Sequence, residues 1–246
     1  MVLASNNFAS DIILPNLNTR DNYVWLWIGT NTTGKTPTAV RLAIAIKRER
    51  PNSKIVCFDN RKSIRKIKIL NPLTKKYELL ADKIIEEWET DWAEQLLGVD
   101  EDGKQISEPW RNYTLFLDDY QMLCKNYKMP QGFKSLIAMR VEYNIDIIGI
   151  THTPKYILEG IKDQVTDYSI FYNLAKQSSF EDKIANYEKV QAGAIVVNEY
   201  AIKFGWKTYP KFPYVHVNQK TGKVTYVNMP WEKLKQLDCF EYLKAS

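Results

Sequence analysis

Short apolar blocks, separated by longer stretches of helical spacing, set the rhythm of much of this chain. Residues 23–28 (YVWLWI), 54–58 (KIVCF), 113–117 (YTLFL), 145–150 (IDIIGI) and 168–172 (YSIFY) are each short, apolar and rich in β-branched or aromatic side chains. Such blocks read as buried strands. Between them, residues 36–50 (TPTAVRLAIAIKRER) and 133–143 carry apolar positions at helical spacing. Residues 79–97 do the same through Ile84, Ile85, Trp88, Trp92 and Leu96, a stripe that reads as core packing on a third helix. Strand, helix, strand in succession predicts an α/β fold with a mostly parallel sheet flanked by helices, the first two strands forming a βαβ unit. Residues 99–105 read as an exposed polar turn around Gly103.

The two ends depart from this rhythm. Residues 1–22 have weak periodicity and are expected to be an N-terminal arm before a core spanning 23–175. Residues 176–246 are expected to extend the same domain. There, 192–206 (AGAIVVNEYAIKFGW) reads as β-prone, and 214–229 reads as two alternating strands around a Gln219-Lys-Thr-Gly222 turn, a β-hairpin. Residues 230–246 suit an amphipathic tail helix, whose docking surface the pattern does not choose.

Composition narrows the class. A chain of 246 residues with 45% hydrophobic and 26% charged residues fits one globular α/β domain. No apolar run approaches the roughly eighteen residues of a membrane helix, so no membrane span is expected, and no secretory signal is visible at the N-terminus. The three cysteines, Cys57, Cys124 and Cys239, have no metal-ligand spacing and suggest buried thiols in a reducing compartment. Net charge is +5, unevenly spread. Lys47, Arg48, Arg50, Lys54, Arg61, Lys62, Arg65, Lys66 and Lys68 face only Glu49 and Asp59, whereas 78–108 is mostly acidic. This asymmetry points to a polyanion partner or, more plainly, to a solvated helix end and loop.

The chemistry concentrates where the strands end. The first strand breaks into Gly29-Thr30-Asn31-Thr32-Thr33-Gly34-Lys35-Thr36 and then Pro37. That is the G-x-x-x-x-G-K-[ST] pattern of a phosphate-binding loop (Walker A): its backbone N–H groups cradle phosphates, Lys35 reaches the β/γ-phosphates and the Thr36 hydroxyl ligates Mg²⁺. Pro37 falls in the first helical turn, where proline is tolerated. ATP and Mg²⁺ are the expected ligands. The third strand ends in Asp118-Asp119, the Walker B position. Asp118 would hold the Mg²⁺ shell and Asp119 would orient or deprotonate an attacking water. The fourth strand ends in Thr151-His152-Thr153-Pro154. If it lies between the first and third strands, His152 stands beside the γ-phosphate, to sense it or position water.

Together, WIGTNTTGKT, LFLDDYQ, LIAMRVEYN and IDIIGITHTP resemble the FtsK/HerA class of P-loop motor ATPases, with an ASCE/RecA-like core. Within that class they look most like small viral genome-packaging ATPases, with Zot-like phage assembly ATPases close by. The resemblance covers about residues 23–175. It implies an ATP-hydrolysing ring oligomer that moves double-stranded DNA without sequence preference, docks at a viral procapsid or portal vertex, and works in the host cytoplasm or on the virion. It further implies an arginine finger supplied in trans, for which Arg140 fits and Arg111 is the weaker rival. Arg61, Lys62, Arg65 and Lys66 are the nominated DNA-gripping residues. Asp119 stands where glutamate is usual in the class, and Thr151-His152 where Thr-Gln is usual. Two other functions share the loop: a nucleoside or nucleotide kinase, and an assembly or secretion ATPase that drives protein.

Overall fold

A computed structural model describes residues 3–5, 22–58, 66–71, 73–85, 92–100, 102–119, 129–175, 178–181, 184, 187–205 and 212–240. In chain order the elements are β1 (Leu3–Ser5), β2 (Val24–Ile28), α1 (Lys35–Glu49), β3 (Lys54–Phe58), β4 (Lys68–Leu70), β5 (Tyr77–Leu79), β6 (Lys83–Ile85), α2 (Trp92–Leu97) and β7 (Tyr113–Leu117). They continue through α3 (Gln131–Tyr143), β8 (Ile145–Thr151), α4 (Glu159–Lys162), β9 (Asp167–Phe171), α5 (Ser178–Glu181), α6 (Tyr187–Phe204), β10 (Tyr214–Asn218), β11 (Val224–Val227) and α7 (Trp231–Leu234).

Among the described residues nine strands form one sheet in the order β1-β11-β10-β9-β2-β8-β7-β3-β6, and β4-β5 form a separate two-stranded ribbon. Strands β9, β2, β8, β7, β3 and β6 are mutually parallel, while β10 runs against both of its neighbours. The strand alternation explains why the blocks are apolar throughout, because both faces are covered. Val24, Leu26 and Ile28 of β2 join the core beneath α2, α3 and α6, with Leu96, Phe133, Leu136, Val190 and Val197. Trp25 and Trp27 point the other way, onto Ala39, Leu42, Ala43 and Ile46 of α1. The predicted strands at 23–28, 54–58, 113–117, 145–150 and 168–172 are all present to within a residue or so. β2 and β3 are parallel, as the βαβ reading requires, with β8 and β7 lying between them.

Three expectations are corrected. Residues 79–97 are not one helix: Lys83–Ile85 is an edge strand paired in parallel with β3, and Trp92–Leu97 is helical, with 86–91 outside the described residues. Pairing with β3, with Lys47 holding Asp82 at 2.7 Å, takes Ile84 and Ile85 out of helical phase. Trp88 lies outside the described residues. Of the β-prone segment 192–206, residues 192–204 lie instead in the 18-residue helix α6, which ends before Gly205 at φ +87°, and Trp206 lies outside the described residues. Its buried Val190, Gly193, Ala194, Val197, Tyr200 and Ala201 recur at helical spacing, so burial against the sheet overrides β-propensity. Gly193 permits the close approach, since a Cβ there would come within 2.7 Å of Val215 on β10. The expected tail helix is interrupted: Trp231–Leu234 forms α7, 235–239 are turns and a bend, and Phe240 is helical again, with 241–246 outside the described residues.

The predicted hairpin is β10–β11. It extends the sheet beyond β9 and is itself extended by the arm, whose β1 pairs in parallel with β11. No helix among the described residues is long and apolar enough to cross a membrane.

Candidate active site

Because β2, β8, β7 and β3 are parallel neighbours, their C-terminal ends share one edge of the sheet, and the sequence places its chemistry there. β8 does lie between β2 and β7. Ile28 pairs with Thr151, and Leu117 pairs with both Gly149 and Phe58, so the loop after β2, the acids after β7 and His152 after β8 converge.

The loop is fastened to the sheet at its base. Gly29 N donates to Thr151 O at 3.2 Å, and both Thr30 N and Thr30 Oγ1 donate to Tyr172 O, at 2.9 and 3.1 Å. The first two amides are therefore committed to the sheet, and the amides left to face a ligand are those from Asn31 onward. Thr33 Oγ1 closes the turn on Thr30 O at 2.8 Å. Lys35, buried at 5% exposure, sends its ammonium back across the loop to Gly29 O and Thr30 O at 2.5 and 2.7 Å. The first helical hydrogen bond runs from Thr38 N to Gly34 O. The amides of Lys35 and Thr36 thus sit at the N-terminus of α1, where the partial positive charge of a helix favours phosphate.

Both loop glycines are required by geometry. Gly34 adopts φ +93°, and a Cβ there would lie 2.0 Å from the ring of Phe212. Gly29 would collide with Phe171, its Cβ within 2.6 Å of Phe171 Cβ. Phe212 precedes β10, and Phe171 stacks on Tyr214 of β10 with centroids 4.7 Å apart. The C-terminal extension therefore braces the loop, a role the sequence pattern did not reveal.

Asp118 and Asp119 are buried at 5% and 6% exposure. Asp119 sits at φ +54°, a left-handed conformation that a non-glycine residue holds at some energetic cost and that recurs at functional turns. Its Oδ1 lies 2.6 Å from His152 Nε2, whose side chain is 26% exposed. The pairing of the second acid with the histidine went unseen in the sequence, where the two groups had separate roles. A carboxylate in contact with an imidazole can align or accept the proton of a water while the imidazole holds it in place. The hydroxyl of Thr36 and the carboxylate of Asp118 are hard oxygen donors of the kind Mg²⁺ takes in small number, completing its shell with phosphates and waters. The two residues fit that ion.

Arg140 lies at the opposite edge. Its Nε donates to Asn22 O (3.3 Å), and its Nη1 to Ile137 O (2.8 Å) and Gln164 Oε1 (3.2 Å). Burial lowers its pKa from the ordinary arginine value. It lines an open cleft of about 500 Å³ with Lys162, Asp163, Gln164, Asp167 and Lys220. Arg111 donates to Glu142 O at 3.2 Å and stacks on Tyr143. Among the nominated DNA-gripping residues only Lys66 lies within the described segments; Arg61, Lys62 and Arg65 fall outside them.

The sheet order, with one strand between the loop strand and the acid strand, defines the P-loop NTPase class of fold. Similar solved structures include genome-packaging NTPases and a secretion ATPase. One is the genome-packaging NTPase B204 from Sulfolobus turreted icosahedral virus 2 bound to ATP-gammaS: TM-score 0.56, 14% identity, 83% of this chain and 96% of that chain covered. Another is B204, the DNA-packaging ATPase from Sulfolobus turreted icosahedral virus: TM-score 0.53, 14% identity, with 83% and 96% covered. The cytoplasmic domain of the Thermomonospora curvata type VII secretion ATPase EccC matches with TM-score 0.51 and 12% identity, over 84% of this chain and 24% of that one. No family model and no curated protein matches the sequence. The resemblance read from the motifs thus holds at the level of fold.

Proposed function

We propose that this chain is an ATP-hydrolysing motor that translocates double-stranded DNA as a ring oligomer, of the viral genome-packaging type. The observation that carries the reading is the convergence at one sheet edge of the loop 29–36, buried Asp118, and Asp119 in contact with His152 across the inserted strand β8. A carboxylate held by a histidine beside the loop suits the orientation of an attacking water, which favours hydrolysis over transfer to a small acceptor. The fold-level likeness to packaging NTPases supports the same choice.

In this reading the amides from Asn31 to Thr36 and the Lys35 ammonium hold the triphosphate, turning from the loop carbonyls to the phosphates. Thr36 and Asp118 would hold Mg²⁺, which would supply charge neutralisation at the phosphates. Asp119 takes or orients the proton of the attacking water. His152, bonded to that same carboxylate, fixes its rotamer and reports on its charge. Arg140, anchored on three acceptors of its own subunit, is a preorganised cation presented to the next subunit's nucleotide, where such a finger typically contributes about 10³ to 10⁵ in rate. Grip on phosphates rather than bases makes binding sequence-tolerant and steeply salt-dependent. Attachment to a procapsid or portal vertex, in the host cytoplasm or on the virion, completes the proposal.

The test is steady-state ATP hydrolysis with and without duplex DNA at low and moderate salt, with Lys35→Ala as the blank. DNA stimulation that fades with salt is expected. Mixing Arg140→Ala with Lys35→Ala subunits should restore part of the activity if the finger acts in trans. Hydrolysis indifferent to DNA would remove the translocation reading.

A further inference from the structure

Between β3 and β6 the chain leaves the main sheet and builds the antiparallel ribbon β4–β5, with Lys68 opposite Leu79, Ile69 opposite Glu78 and Leu70 opposite Tyr77. The ribbon is ordered by its own turn. Asn71 Oδ1 accepts from Leu73 N and Thr74 N, Lys75 N donates to Asn71 O, and Lys75 takes φ +58°. It is also anchored, because Ile67 and Ile69 pack against the core beneath α1 and Leu80 is fully buried.

Alternation then decides the other face. With Ile67 and Ile69 turned inward, Lys66, Lys68 and Leu70 turn outward, joined across the ribbon by Tyr77 and Leu79. Leu70 and Leu79 are each 50% exposed, Leu73 63% and Tyr77 73%. Lys75 and Lys76 are exposed at the turn. The acid of the ribbon, Glu78, pairs opposite Ile69 and is held by Asn71 Nδ2 and Thr74 Oγ1, both at 2.7 Å. Those two hydrogen bonds hold its carboxyl below the usual range. Among the described residues none of Lys66, Lys68, Lys75 and Lys76 forms an ion pair.

We propose that this ribbon is a contact surface for duplex DNA, its four lysines on phosphates and its Leu70, Leu73 and Tyr77 side chains against the sugars and groove wall. The proposal rests on the DNA-translocating reading and names the surface that would grip. A two-stranded ribbon is one of the two elements that a B-DNA major groove admits. Lysine is a flexible point charge suited to phosphates without bidentate base reading, and apolar side chains are recurrent groove contacts. Asn71, the one amide side chain on the described ribbon, is spent on its turn and on Glu78, which leaves the lysines as the main contacts to the backbone.

The experiment measures anisotropy of a short fluorescent duplex with the full chain, wild type against a variant with Lys66, Lys68, Lys75 and Lys76 all changed to Ala, at several salt concentrations. Thermal unfolding confirms that the variant folds. Kd should rise at least about tenfold, and the slope of log K against log salt should shallow by roughly 0.9 for each lysine that had touched a phosphate. A variant with Lys→Arg at all four positions should keep the wild-type slope. If wild type binds duplex and the alanine variant matches it in Kd and slope, the ribbon assignment is overturned while the DNA reading stands. The same holds if the alanine variant loses only self-association. If wild type shows no salt-dependent DNA binding, the DNA reading falls and takes the ribbon assignment with it.

Discussion

The two histidines of this chain each meet an aspartate, and the two pairs behave as different objects. His152 Nε2 touches Asp119 at 2.6 Å at the open C-terminal edge of the sheet, on a left-handed turn, with the imidazole 26% exposed. His216 Nε2 touches Asp167 at 3.2 Å within the sheet, its side chain 7% exposed. There Asn218 Nδ2 bonds the same carboxylate oxygen, Ser169 Oγ lies 3.4 Å from His216 Nδ1, and Trp25 Nε1 donates to that serine at 3.0 Å. Ser169, His216 and Asp167 have the residue types of a hydrolytic triad. Yet Ser169 is fully buried between Trp25 and β10, and no substrate reaches it. The first pair is partly exposed on a left-handed turn, and the second is buried within the sheet. Access and backbone setting, rather than residue identity, separate a site from a staple.

The contrast is sharpest under substitution. Asp119→Asn should lower ATP hydrolysis by about 10² to 10⁴, the usual contribution of a general base, with nucleotide affinity and thermal midpoint nearly unchanged. A loss of folding instead would make the open pair structural. Asp167→Ala should do the reverse. It leaves the buried donor of His216 and the half-buried amide of Asn218 without their acceptor, which costs about 2 kcal/mol, a fall of roughly 4–8 °C in Tm for a chain of this size. Turnover per folded molecule should stay near wild type.

His152→Ala should reduce turnover about tenfold, worth about 1.4 kcal/mol. His152→Gln should recover much of that, because an amide N–H can still donate to Asp119. Failure of glutamine to rescue would show that the imidazole itself handles a proton. The smallest effect concerns Glu199 of α6, which caps Asp238 N and Cys239 N. Burial raises its pKa, but the hydrogen bonds from Cys239 and Asp238, with Lys203 nearby, outweigh this and leave it below 4.5. A depressed carboxyl stabilises the fold above its unfolded pKa and loses that contribution as pH falls through the folded value. The difference in Tm between wild type and Glu199→Gln should therefore be constant near neutrality and shrink below about pH 4.5.

Much of the site was legible because it sits at strand ends. A continuous apolar block followed by Gly29, Asp118 or Thr151 marks both a buried strand and the place where its chain turns back, and parallel strands bring those places together. Less was legible where local pattern and tertiary burial disagree. Residues 192–206 carry Ile195, Val196 and Val197, and only packing over β10 makes them helical. Ile84 and Ile85 fit a helix until β3 offers them an edge. Phe212 against Gly34 could not be read at all, since 178 residues separate them and the contact depends on β9 and β10 being neighbours.

The sequence by itself determined the loop after the first strand, the core strands and the C-terminal hairpin, since each is written in contiguous residues whose spacing or stereochemistry admits few alternatives. Tertiary structure alone decided which histidine is open and which is closed, which face of the 68–79 ribbon meets solvent, and what presses on the phosphate loop. Those features depend on strand order and on burial on both faces of a sheet, and strand order is set by the summed packing of distant segments rather than by any one of them.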